Sequence, residues 1–319
     1  MRTIVAAFIL LLPLAAQDDS VIQSARTARN PELLEKRAAE LETQYQYDSA
    51  QKLLEAAVAL RGQVNGEQSA DYGLCLLKLG ALERKTGHGK QATAHYAQAV
   101  RLLPNRPETA PVFLYLGVTS LHKTDSGATE MEYLERARSL DPTLTGPVLM
   151  WTAFMHERQD EADQAEAGYK AALAAITPLS IQELEARTLY GRFLEQHGRD
   201  NEAELMRPRT PIPGVPGHQA PAGSVYKVGG GVSQPSVLYK VDPAYSEEAR
   251  VAKVSGTVLL QMVVGTDGKA QNIKVIRSIG FGLDDCAISA ISRWNFKPGM
   301  KDGSPVPVYA TIEVNFRLL

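Results

Sequence analysis

Cysteine is nearly absent: 319 residues contain only Cys75 and Cys286, in different halves of the chain. Two thiols cannot make a cysteine-rich metal site. Nothing in the pattern brings them within disulfide reach, so they read as small buried apolar residues. Histidine is equally sparse. His88, His95, His122, His156 and His197 are scattered through the chain, His218 sits among prolines, and none follows it. His88 and His95 are separated by a helix-breaking glycine, with Gly87 just before. His156-Glu157 begins like a zinc-protease motif, but Asp160 occupies the place of the second ligand. Gly229-Gly230-Gly231 is not followed by Lys-Ser/Thr, so it is no phosphate loop. The sequence therefore offers no catalytic constellation and calls for no cofactor and no metal; it reads as a non-enzyme. A net charge of −2 gives no electrostatic case for nucleic acid. Long apolar runs are also missing. The longest, Ile4 to Ala16, is broken by Pro13 and falls short of the ~20 residues needed to span a bilayer.

That short run has another use. Arg2, the apolar stretch, small Ala15 and Ala16, and then polar Gln17-Asp18-Asp19 have the three parts of a secretory signal over residues 1–16. The expectation is export with cleavage, with retention as a weak membrane anchor as the alternative.

Residues 20–206 are rich in Ala, Leu, Glu and Gln with amphipathic spacing, and they repeat. The clearest unit has Leu79-Gly80, then Ala92, Tyr96, Ala99 and Pro104. Upstream, Ala38 is followed by Ala50, Leu54 and Ala57. Downstream come Leu116-Gly117 with Leu134, Ala137 and Pro142; Ala153 with Ala165, Tyr169, Ala172 and Pro178; and Tyr190-Gly191 with Ala203. A small residue on the first helix of each pair allows the second to approach closely. These offsets resemble the tetratricopeptide repeat, in four units plus a truncated fifth. The resemblance implies stacked helix pairs whose concave groove binds a peptide or a second protein.

Residues 207–235 read as a linker. Pro208, Pro211, Pro213, Pro216 and Pro221 alternate with glycines, which favours an extended path.

Residues 236–319 read as a small α+β module. Ser246 caps a helix with Glu247 and Glu248 in its first turn. Thr257–Val264 is a strand with two largely apolar faces, hence central. Gly265-Thr266-Asp267-Gly268 turns the chain into a second strand, 270–278. On alternation, Ile273, Val275 and Arg277 share one face of that strand. A second helix carries Leu283, Ala287, Ile288, Ile291 and Trp294 as its apolar stripe and ends at Pro298-Gly299. The last strand runs from Val306 to Leu318. A crossover helix makes it parallel to the second strand, so the expected order is second-first-third, a three-stranded antiparallel sheet with two helices on one face.

Pro243-Ala244-Tyr245, Gly256-Thr257-Val258, Thr266-Asp267-Gly268-Lys269, Trp294-Asn295-Phe296-Lys297-Pro298 and Val306-Pro307-Val308 occur in the order found in the C-terminal domain of TonB-family proteins, which the module resembles over 236–319. The resemblance implies periplasmic docking on an outer-membrane TonB-dependent receptor or other envelope protein. A short receptor peptide would add as a strand to the last strand. The implied partner-binding residues are Tyr245 and, along the edge, Val306, Val308, Tyr309, Ala310, Thr311, Ile312, Glu313, Val314, Asn315 and Phe316. Ser246 stands where the best-known members have proline. The leading expectation is a multidomain periplasmic adaptor: an all-α repeat domain followed by the module. A membrane-anchored energy transducer coupled to an inner-membrane motor complex, and a periplasmic scaffold, stand beside it.

Overall fold

The computed structural model describes residues 14–121, 128–207 and 225–318. Most of the expected signal (1–13) and most of the linker (208–224) lie outside the described residues, as do His122 and His218. The chain divides into two compact units, one of residues 1–83 and 90–104, the other of 84–89 and 105–319.

The first unit contains α1 (Leu14–Ala28), α2 (Glu32–Thr43), α3 (Tyr47–Asn65), most of α4 (Ala70–Lys85) and α5 (Gly89–Leu102). Its pairing follows the small residues. A Cβ added at Gly80 would meet the Tyr96 ring at 2.8 Å, so α4 and α5 can only close with glycine there. Ala38, Ala50, Ala57, Ala92 and Ala99 are all fully buried. Arg61, pinned by Glu35 at 2.8 Å, ties α3 to α2. His95 Nδ1–H donates to Glu83 Oε2 at 2.7 Å across the α4–α5 pair.

The second unit continues the pattern with α6 (Ala110–Ser120) on α7 (Ala128–Leu140), α8 (Thr145–Arg158) on α9 (Ala162–Ala175), and α10 (Ile181–Gln196) on the short α11 (Asp200–Met206). Gly117 faces Leu134, Gly168 faces Ala153, and Gly191 faces Met206, each closer than a side chain would allow or nearly so. Tyr169, fully buried, stacks on Tyr190 at 5.6 Å and tilts against Phe193 at 5.8 Å. Five helix pairs thus carry the spacing legible in the sequence.

The module belongs to the same unit. Its elements are β1 (Ser236–Tyr239), α12 (Glu247–Ala252), β2 (Gly256–Val264), β3 (Ala270–Arg277), α13 (Leu283–Ser292), β4 (Asn295–Lys297), β5 (Gly299–Lys301), β6 (Ser304–Val306) and β7 (Val308–Phe316). The main sheet has the order β3-β2-β7, all antiparallel. Val258, Leu260, Met262 and Val264 are buried on the helix-covered face, while Gln261 is exposed on the other.

Three sequence expectations change. First, α13 stops at Ser292, and Asn295–Lys297 leaves it as β4 to pair with β1. The turn glycine explains this: Gly268 (φ +73) accepts a hydrogen bond from Phe296 N, and a Cβ there would stand 2.2 Å from the Phe296 carbonyl oxygen. The Thr266–Lys269 and Trp294–Pro298 segments are thus in direct contact. Second, β3 does not alternate cleanly. Its register with β2 shifts twice, and Asn272 takes a left-handed φ of +50. A bulge moves the following residues to the other face, so Arg277 lies opposite Leu259 on the open face, 3.9 Å from Glu313, rather than with Val275. Third, Val306 belongs to β6, opposite Gly299, and the last strand begins two residues later at Val308.

Within this unit the module packs on the helix pairs. Phe281, 2 % exposed, meets Trp151 edge-on at 6.1 Å. Its N–H donates to Glu185 Oε1 at 2.6 Å. Arg84 pairs with Glu248 at 2.6 Å, and Arg192 donates to the carbonyl of Ala252.

Candidate docking edge

β7 pairs with β2 over nine consecutive residues without a break, from Val308 opposite Val264 to Phe316 opposite Gly256. In an antiparallel ladder successive residues point their backbone groups alternately to the two sides. One pair of bonds fixes which is which. Tyr309 N donates outward to Tyr226 O at 3.0 Å, and Pro307 O accepts from Tyr226 N at 2.9 Å. Tyr309, Thr311, Glu313 and Asn315 therefore direct N–H and C=O to the free edge. Val308, Ala310, Ile312, Val314 and Phe316 direct theirs into β2. Of the expected binding residues, only the odd-numbered half can offer backbone to a new strand. The even-numbered half supplies the fold: Val308, Val314 and Phe316 are buried.

Tyr245 closes the far end of this edge. Its ring packs edge-on against Phe316 at 5.7 Å, Arg250 lies 5.6 Å over it, and its hydroxyl donates to the carbonyl of Val254. Tyr245 thus staples α12 and also borders the strand. Ser246 accepts from Ala249 N at 3.3 Å as the helix cap, and its hydroxyl donates to the carbonyl of Phe281.

The open face beside β7 holds a cleft of about 490 Å³ between Tyr309, Val263, Lys274 and Lys227. Sequence reasoning missed Lys227 and Tyr226, because a Gly-rich approach to the module reads as a featureless linker. Among the described residues no group of His, Cys, Asp and Glu is placed to hold a metal. Cys75 and Cys286 are free and buried, and burial pushes both thiols up to about 12.

Burial pushes the Glu185 carboxyl up to about 7; the Phe281 N–H opposes this, Glu248 and Asp284 add to it, and Arg84 opposes it. Burial also raises Asp284 and Asp285. A carboxyl raised in the folded state holds its proton longer there than in the unfolded chain, so stability falls as pH rises from 4.5 to about 7 and is level above. The expected loss is on the order of 2–3 kcal/mol at ~1.4 kcal/mol per unit. Melting temperature should thus be several degrees lower at pH 8 than at pH 5, and Glu185→Gln should remove most of the difference. An equal slope in the variant would place the titration elsewhere. Glu166, held down to about 2 by Arg199 and Lys170, acts below this window.

Residues 241–318 match the family described as Gram-negative bacterial TonB protein C-terminal. The module is similar to the TonB C-terminal domain over these residues. A curated relative, Protein TonB of Vibrio cholerae serotype O1, is 32% identical over 89 residues, which is 27% of this chain and 36% of that protein. The chain thus spans about a third of the length of the relative it matches. Two solved structures, titled Crystal structure of MamA protein and Crystal structure of MamA, are similar over 55% and 53% of this chain. They align over 87% and 89% of their own, at 19% and 21% identity and TM-scores of 0.42 and 0.40. No helix among the described residues is long and apolar enough to cross a membrane.

Proposed function

We propose that this chain is a periplasmic adaptor whose TonB-type domain takes an extended segment of an outer-membrane receptor, or of another envelope protein, as a fourth strand on β7. One observation carries the reading: β7 offers an unbroken row of outward backbone groups at Thr311, Glu313 and Asn315, and no described residue bonds to them. Such a row is a template for another strand. The opposite edge is a poor template. β3 is twice bulged, has a left-handed Asn272, and carries Lys274. These devices discourage pairing.

Alternate side chains would then select the partner: Thr311, Glu313 and Asn315 on the open face, Ala310 and Ile312 on the other, with Tyr245 at the end. The tetratricopeptide-like pairs would bind a second protein, which makes the chain a bridge rather than a catalyst. Export over residues 1–16 completes the reading.

The test is titration of the full chain with a synthetic peptide from the periplasmic N-terminus of a TonB-dependent receptor. Expected are slowed amide exchange at Thr311, Glu313 and Asn315 and no change along β3. Protection of β3 instead would overturn the assignment of the edge.

A further inference from the structure

We propose that the chain fills the first rung of its own docking edge with Tyr226, and that the partner fitting the vacant remainder is an extended segment of about five residues. The proposal rests on the reading of β7 as the docking edge.

Tyr226 lies parallel to β7 opposite Val308 and makes both bonds of one rung, to Pro307 O and from Tyr309 N. Its ring carries Lys301 4.6 Å above it. The pairing then stops. Val228 is 51 % exposed, and Gly229, Gly230 and Gly231 all take positive φ (108, 59 and 87) with no atom near their missing Cβ positions. Only glycine adopts such a run cheaply. Gly229 and Val232 bond to each other, and Ser233 N donates to Met300 O, so the strap is re-anchored on β5. Residues 225–233 are therefore fixed at two points and joined by three glycines with nothing packed on them.

The consequence for a partner is geometric. Below Tyr226 the vacant groups run from Thr311 to Asn315, roughly 16 Å at ~3.3 Å per residue, and Tyr245 against Phe316 marks the far end. A five-residue strand fits that interval. A nine-residue strand must displace Tyr226, and the glycines are the hinge on which it would swing out. The side chain after Tyr226, Lys227, forms a wall of the open-face cleft beside Tyr309, so displacement also opens that cleft.

The test uses the full chain and two probes, alternating Thr-Val peptides of five and nine residues with lysine at each end, read by residue-resolved amide exchange. In the free chain Tyr309 N–H should exchange at least tenfold more slowly than Thr311, Glu313 and Asn315. Tyr226→Pro, which lacks the donor to Pro307, should bring Tyr309 to their rate. It should also bind the nine-residue peptide at least fivefold more tightly than the unaltered chain, while the five-residue peptide binds both alike. Tyr226→Gly, which keeps the N–H and removes the ring, should shift both readouts the same way to a smaller extent. A fast Tyr309 amide in the free chain, or equal affinity for the nine-residue peptide in all three proteins, overturns the proposal alone. Failure of both peptides to protect Thr311, Glu313 and Asn315 in any of the proteins overturns the docking edge and the proposal with it.

Discussion

Thr311→Pro is expected to leave the fold intact and to weaken binding of a receptor peptide at least tenfold, whereas Ile312→Pro is expected to destabilise the sheet itself. The two residues are adjacent, and the difference lies in which way each N–H points. Thr311 points outward, so proline there removes no bond to β2, and edge strands tolerate proline with the N–H side free. It removes the first donor of the vacant row and puts a ring where a strand must approach. A net hydrogen bond is worth about 1 kcal/mol, and the obstruction adds to it, so a tenfold loss (about 1.4 kcal/mol) is a lower bound. Ile312 sits opposite Leu260, its N–H directed into the ladder. Proline there strands a buried carbonyl and distorts the central pairing, on the order of 3 kcal/mol. Thermal melts by circular dichroism and peptide anisotropy separate the outcomes. A well-folded Thr311→Pro that binds normally would refute strand addition at β7, and a stable Ile312→Pro would mean the alternation runs the other way.

Phe281→Ala should destabilise the second unit by about 3–5 kcal/mol, the range for deleting a buried aromatic ring. Phe281 is 2 % exposed and sits edge-on to Trp151, so its loss opens a ring-sized cavity between the module and α8. The backbone contribution survives, since the Phe281 N–H to Glu185 bond does not need the ring. Denaturant unfolding of Phe281→Ala, Trp151→Ala and the double variant measures the pair directly. A coupling of about 0.5–1.5 kcal/mol is expected for an edge-on aromatic contact. Strictly additive losses would show that the two rings are not partners.

Phe281 also marks a limit of sequence reasoning. Between Gly280 and Gly282 a lone aromatic reads as a loop residue, and no periodicity flags it. Its burial depends on Trp151, 130 positions earlier in the sequence. Arg277 departs from the alternation for a related reason: period two carries no information about a bulge, and one extra residue changes the face of all that follow. Tyr226 was hidden because glycine-rich composition describes chain stiffness and says nothing of what a single residue in it touches.

By itself the sequence determined the local and the repetitive. The small residues at Gly80, Gly117 and Ala153 specify helix pairs because no bulkier side chain lets the helices close. The Gly265–Gly268 turn, the Ser246 cap, the two largely apolar faces of β2 and the crossover helix specify the module and its sheet order, since each acts over a few residues. Tertiary structure alone decided which half of β7 faces outward, that Val306 belongs to the preceding hairpin, and that Tyr226 takes the first rung. These depend on register and on contacts far apart in the chain, where a shift of one residue reverses the answer and leaves composition unchanged.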